Sequence, residues 1–323
     1  NVNMRPAVVR RSSNSTGSNE GIDDTDSPDS FEQGSLIINK NQTEDAERGI
    51  WRRPNRKEMP TEGSMVLRFE IPSARILPTD KDNSNSKKYV NYELCVTQVS
   101  VSVADSHPAT IERRYTNFLM LYNGLRKDHA AQMQNVFFPK KAIMGNFSPD
   151  LIAERGAAFE VFLEHIVSSW ELKESQHFLN FLQGIELERA CRLLDERRNE
   201  QAVPILQNSF RLLNKIYLDH SKPVLLLLCR LVAACTTSPL PHPMAEQWAE
   251  VALRRYESVC DTDLLTLYVP LLQTCTHLWW QRGRDNKPLE DRLKDIQKTG
   301  MKVSGSPTLI QAIHTLDPRA ETT

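Results

Sequence analysis

From Met65 the chain alternates, with Met65, Leu67, Phe69 and Ile71 on one side and Val66, Arg68 and Glu70 on the other. That pattern predicts a half-buried strand, stopped by Pro72. A polar run from Thr79 to Lys87 follows, and a second strand begins near Lys88 with Val90, Tyr92, Leu94 and Val96 turned inward. Val99, Val101 and Val103 continue one residue out of phase, which predicts a bulge or a break near Thr97 and Gln98. A third strand over Ala109 to Arg114 runs into a segment where Phe118, Leu121, Tyr122 and Leu125 recur at helical spacing. Val136 to Lys141 is irregular around Pro139, and Ala142, Ile143, Met144 and Phe147 form an apolar tip. Ser148-Pro149-Asp150 is a helix start, with Leu151, Ile152, Phe159, Phe162, Leu163 and Ile166 on the inner side of the helix it opens. A short helix from Gln176 to Leu182 is expected to end at Gly184. Three antiparallel strands packed on helices make a small α+β unit, assigned to residues 63–184.

Beyond Ile185 every segment reads as helix: Leu187 to Arg198, Val203 to Tyr217, Pro223 to Cys235, Met244 to Val259, Leu264 to Trp280 and Leu289 to Thr299. Pro223 to Cys235 is apolar nearly all round except at Arg230 and is expected to be the central buried helix. Trp248, Trp279 and Trp280 read as core. Helix pairs joined by short polar turns, closed by Gly300 as a C-cap, predict an all-α tetratricopeptide-like unit over residues 185–300, a divergent one because the signature tryptophan, glycine and proline positions of that repeat are not reproduced. Residues 301–323 read as a frayed tail. Residues 1–62 are polar and acidic, too poor in apolar side chains to offset the entropy of ordering, and read as a disordered arm. Its two apolar islands, Leu36 to Ile38 and Ile50 to Arg53, fit either partner-docking peptides or loosely packed linker.

Composition narrows the functional classes. The chain of 323 residues carries a formal net charge of -1, with a pI near 6.8, so bulk nucleic-acid binding is not expected and any phosphate recognition has to be local. The six cysteines fall singly inside apolar segments and read as reduced core thiols, and no histidine stands at metal-ligand spacing, so neither a metal nor a cofactor is expected. No secretory signal opens the chain and the longest apolar run is too short for a bilayer span, which places the protein in the cytosol. The missing initial methionine points to a fragment or a processed start. There is no glycine-rich phosphate loop, no HExxH, no GxSxG and no histidine in a motif with a nucleophile, so the chain is not read as an enzyme.

Basic residues gather instead at three points of the α+β unit: Arg113 and Arg114 at the end of the third strand, Lys140 and Lys141 after Pro139, and Arg155 early in the next helix. A guanidinium pair beside a helix N-terminus favours an anion, and phosphate is the natural guest. The ordered set RRYTNF, FPKK and ERGAAFEVFL resembles the phosphoinositide-binding pattern of the PX (phox homology) domain, although the family's proline-rich loop is reduced here to Pro139. The resemblance implies that Arg114 holds a 3-phosphate, that Tyr115 forms the floor beneath the inositol ring, that Lys141 (or Lys140 in the alternative register) meets the 1-phosphate, and that Arg155 bonds the 4- and 5-hydroxyls. Arg113 is expected on the opposite face, because neighbours on a strand alternate. Ile143, Met144 and Phe147 correspond to the family's membrane-inserting loop. A PX unit between an acidic arm and a helical unit is similar to the sorting nexin 20 and sorting nexin 21 subgroup, over roughly residues 64–300. The implied role is a peripheral adaptor on the cytosolic face of early endosomes that binds phosphatidylinositol 3-phosphate and recruits cytosolic proteins through its helical unit and arm. The alternative is a protein scaffold whose PX unit has lost lipid binding.

Overall fold

The structure is a computed structural model that describes residues 50–52, 66–79, 87–99, 105, 107–142, 144–257, 259 and 262–317. The acidic arm up to residue 49, Val101, Val103, Ile143, Cys260 and residues 318–323 lie outside the described residues. An antiparallel sheet in the order β1-β2-β3-β4 is built from β1 (Ile50–Arg52), β2 (Val66–Pro78), β3 (Lys88–Val99) and β4 (Ala109–Arg114). The three expected strands are its body. The short β1, within the second apolar island, adds a fourth by pairing with Ser73, Ala74 and Arg75 of β2.

One strand expectation is corrected. Pro72 does not stop β2; the register instead shifts between Glu70 and Ser73, so that Ile71 and Pro72 together oppose Leu94. The freed Ile71 N–H is taken up by Glu160 Oε1 at 2.7 Å, which is how an exposed proline and a buried isoleucine coexist in one strand. Of the bulge or break expected near Thr97 and Gln98, the structure has the second: both residues keep regular partners in β2, and β3 ends at Val99.

Two long helices pack on the inner face of the sheet: α1 (Tyr115–Asp128) and α2 (Pro149–Ser168), the latter started by Ser148, whose hydroxyl accepts from Leu151 N–H. Their shared core is aromatic, with Phe118 and Phe159 stacked at 3.8 Å and Tyr92 edge-on to both. After the single turn α3 (Trp170–Lys173) comes α4 (Gln176–Asp195). This helix passes straight through Gly184, where an end was expected, because tertiary packing on both sides outweighs the modest helix cost of one glycine. The α1 and α4 axes approach so closely at Gly124 that a Cβ there would lie 2.5 Å from the His177 ring.

Helices α5 (Asn199–Ile216), α6 (Lys222–Thr236), α7 (Ala245–Tyr256), α8 (Thr262–Leu265), α9 (Tyr268–Gln281) and α10 (Lys287–Lys298) follow, each long one packed on its predecessor as successive pairs. As expected, α6 is the central one, buried from Val224 to Cys235. Gly300 adopts φ +92° after α10, as a C-cap glycine does. Two readings are corrected here. Trp280 is exposed while Trp248 and Trp279 are buried. The presumed tail contains α11 (Leu309–Leu316), opened by a Thr308/Gln311 capping box, which packs on α6 and α9 with Leu309, Ala312 and Ile313 buried.

The two halves are tied together by polar contacts at the β4 edge. The Asn208 side chain on α5 donates to Thr110 O at 2.7 Å and accepts from Thr110 N–H at 3.3 Å, occupying hydrogen-bonding groups an edge strand leaves open. Lys215 forms an ion pair with Asp105, and Gln98 Nε2 donates to Lys215 O. Burial opposes ionisation of Asp105, but hydrogen bonds from Lys215 and from the Gln98 and His107 amides hold its carboxyl below the usual range. A folded-state value below the unfolded one stabilises fully above about pH 4, and the contribution is lost as pH falls through the folded value. The stability gap between wild type and Asp105→Asn in urea unfolding is therefore expected to be largest at neutral pH and to shrink as pH falls below the ordinary carboxylate range. A gap independent of pH would contradict the ion pair.

A stronger tie runs from Arg113, which is only 1% exposed. Its Nε donates to Phe181 O at 2.7 Å, Nη2 to Leu182 O, and Nη1 and Nη2 to the Glu186 carboxylate at 2.7 Å each, all on α4. Glu186→Ala strands a buried guanidinium and is expected to cost about 3–5 kcal/mol. The check is the urea midpoint, and a midpoint like that of wild type would contradict this account.

Candidate functional site

Strand alternation sets the site. Ala109, Ile111 and Arg113 point to the core, so Arg114, the next residue, turns to the opposite face, as expected from the sequence. Helix α1 begins at the very next residue, leaving no loop between strand and helix. Arg114 is thus the N-cap of α1; its N–H donates to Asn117 Oδ1 at 2.9 Å, and its guanidinium lies 5.7 Å from the ring centre of Tyr89 on β3. It has no carboxylate partner among the described residues.

Tyr115 is buried, packed against Phe138 and Phe159, with its hydroxyl donating to Pro139 O at 2.9 Å. That bond fastens the segment carrying Lys140 and Lys141, both exposed, beside the start of α1. Arg155, one turn into α2, stacks on the Tyr115 ring at 4.3 Å and is 0% exposed. Its Nη2 donates to Asn146 Oδ1 at 3.0 Å and reaches Lys140 O at 3.5 Å, whereas Nε and Nη1 are buried without a hydrogen-bond partner among the described residues. A buried cation with donors left over is costly unless an acceptor or water meets them.

Arg114, Tyr115, Lys140, Lys141 and Arg155 are therefore brought to one end of the unit, on three elements linked by the Tyr115–Pro139 bond and the Arg155–Tyr115 stack. The face of Tyr115 carries the Arg155 guanidinium, and the Lys140–Asn146 loop closes over both. At the loop's tip Met144 is 76% exposed, and Gly145, at φ +78°, turns the chain back so that Phe147 packs against the core. The apolar tip is thus divided: Met144 faces outward, Phe147 inward, and Ile143 lies outside the described residues. Phe137, 69% exposed, is a further outward apolar side chain on the same segment.

Three contributors were not singled out from the sequence. Tyr89 sits where β3 carries Asn91 opposite Arg114, so cross-strand neighbourhood was its one signal. Asn146, which accepts from Arg155 and donates to Ala142 O, and Asn117, which accepts from Arg114 N–H, act through side-chain bonds that leave no periodicity.

The family model for the PX domain matches residues 101–184. β2 and β3 precede that match but are hydrogen-bonded in one sheet with β4, which lies inside it. Over a longer span the chain is 32% identical to bovine sorting nexin-20 across 231 residues, 72% of this chain and 70% of that protein. The chain belongs to the sorting nexin family. Human sorting nexin-21 is 30% identical over 254 residues, which cover 79% of this chain but 65% of that protein's length. Rat serine/threonine-protein kinase Sgk3 is similar through the PX region alone, 32% identical over 39% of this chain and 24% of the kinase. A crystal structure of the mouse SNX19 PX domain with bound sulphate ion aligns with 36% of this chain and 97% of that one, at 22% identity and a TM-score of 0.28.

For this sorting nexin, Tyr115→Phe removes the tether to Pro139 while keeping the ring under Arg155. It is expected to cost about 1 kcal/mol and to speed amide exchange across residues 139–147. Exchange there equal to wild type would show that the tether does not hold the loop.

Proposed function

We propose that the PX unit binds phosphatidylinositol 3-phosphate in early endosomal membranes while the helical unit recruits cytosolic proteins, making the chain a peripheral trafficking adaptor. The division is read as arm 1–62, lipid-binding unit 63–184, protein-binding unit 185–300 and a segment 301–323 that includes α11. The observation that carries the lipid reading is Arg155, a fully buried guanidinium with two donor nitrogens unmet, stacked on Tyr115 next to Arg114 in the chain and reaching the carbonyl of the exposed Lys140. Arg114 takes the 3-phosphate, since a planar fork matches two phosphate oxygens, and the exposed lysines take the 1-phosphate. Arg155 meets ring hydroxyls once the loop over it moves, and Tyr115 supports the ring side through that guanidinium.

Membrane contact falls to Met144, with Ile143 as its sequence neighbour. Full burial of an apolar side chain of this size contributes about 1.5–3 kcal/mol, and each nearby lysine about 1 kcal/mol against an anionic leaflet. The sum suits reversible binding, and no helix among the described residues is long and apolar enough to cross a membrane. The reading assigns the chain no catalytic step.

A second reading, a PX unit used as a protein-docking fold, draws on the burial of both Tyr115 and Arg155. Vesicle pelleting separates the two. Wild type is expected to pellet with phosphatidylinositol 3-phosphate vesicles, Arg114→Gln to lose at least about tenfold in affinity, as removal of a bidentate charged contact implies, and Met144→Asp to weaken vesicle binding while keeping a soluble headgroup. Equal pelleting by wild type and Arg114→Gln overturns the assignment, and absence of pelleting by wild type favours the docking fold.

A further inference from the structure

The helical part is built of pairs, α4 with α5, α6 with α7 and α9 with α10. The first members, α4, α6 and α9, border a common face, and α11 lies along it against α6 and α9. Beyond each end of α11 the face stays open. At its N-terminal end a cleft of about 360 Å³ is lined by Thr237, Pro270, His277, Gln281 and Ile310, next to the exposed Trp280, whose ring stacks with His277. At its other end a cleft of about 300 Å³ is lined by Gln176, Gln183, Lys222, Leu226, Arg230 and Asp317. We propose that this face is a docking groove for an amphipathic helix of a partner protein, and that α11 is the groove's own exchangeable occupant.

The chemistry of the partner is written in α11. Leu309, Ala312, Ile313 and Leu316 stand at i, i+3, i+4 and i+7 and supply its apolar stripe. Asp317, one residue past the stripe, meets Arg230 Nη2 at 2.9 Å. Arg230 is the one charged residue of the buried run of α6, so it needs an anion at that point of the groove and selects for one. Gln183, also buried, lines the same cleft and presents an amide there to a polar group of the partner. A fitting partner helix carries three or four apolar side chains at that spacing and a carboxylate just after them.

The attachment of α11 allows exchange. Eight residues are too few for a helix to hold its shape alone in water, so α11 exists because the groove holds it. It is reached from α10 through Gly300 and Gly305, both left-handed, with open space where a Cβ would stand. The Gln273 side chain bonds Val303 O in that connection. A tethered occupant competes at high effective concentration, so an added helix binds wild type weakly and gains when α11 is loosened.

The test uses the full chain and a fluorescein-labelled peptide of residues 306–317 as probe, read by anisotropy. Wild type is expected to bind weakly and Ile313→Asp, which expels α11, at least about tenfold more tightly. Adding Arg230→Glu to Ile313→Asp abolishes capture, and a probe carrying Asp317→Lys restores it. An Ile313→Asp chain that keeps its helical circular dichroism but gains no affinity overturns the proposal. If that variant unfolds, amide exchange on wild type decides: faster exchange in α11 than in α6 and α9 supports an exchangeable occupant, and exchange of all three together makes α11 a fixed part of the core.

Discussion

The buried Arg113 governs how this molecule is put together. A guanidinium removed from water is tolerated only when its donors are met, and here α4 meets them with two backbone carbonyls and the forked Glu186 carboxylate. Arg113 is the inward residue at the end of β4, so satisfying it fixes where α4 crosses the sheet. Phe178, Phe181 and Leu182 then complete the aromatic core, while the far end of α4 starts the helical pairs. The same requirement fixes Arg114: with its neighbour committed inward, strand alternation leaves it no other side than the outer one.

Set beside Arg113, Arg155 shows why the second buried arginine is read as functional. Both are essentially without exposure, yet every donor group of Arg113 has an acceptor and two nitrogens of Arg155 have none among the described residues. The Tyr115 ring offers Arg155 a cation–π contact, which orients the guanidinium but accepts no in-plane hydrogen bond. A purely structural arginine would be unstable in that setting relative to an apolar residue of similar volume. An oxygen-rich ligand would meet those nitrogens, and on the proposed reading the loop between Lys140 and Asn146, which Arg155 holds at Lys140 O and Asn146 Oδ1, is what yields.

What was legible in the sequence follows from what leaves a local pattern. The period-two runs, the Ser148-Pro149 helix start, the apolar belt of α6 and the outward turn of Arg114 depend on neighbours within one element, and all of them stand in the fold. Pro72 was misread because its missing N–H predicts an end, whereas Glu160, eighty-nine residues away, stabilises a bulge by accepting from Ile71. Gly184 was misread for the same reason: local helix cost predicted a boundary that packing from both halves overrides. Leu309 to Leu316 is too short to stand out by periodicity without knowledge of the groove it fills. At the site, residue types and order pointed to residues that the fold gathers at one end of the unit, but the stacking of Arg155 over Tyr115 and the inward turn of Phe147 depend on contacts between elements and are invisible in one dimension.

The two proposed binding ends therefore meet on one continuous helix. Arg113 grips α4 at Phe181, Leu182 and Glu186 from beside the proposed phosphate ligand Arg114, and Gln183, within that same turn, borders the cleft beyond α11. The helical backbone is unbroken there, and α5, packed on it, is held to the sheet through Asn208 and Lys215. What α4 supplies is a fixed geometry, presenting the groove at a set angle to whatever surface Arg114 and Met144 engage.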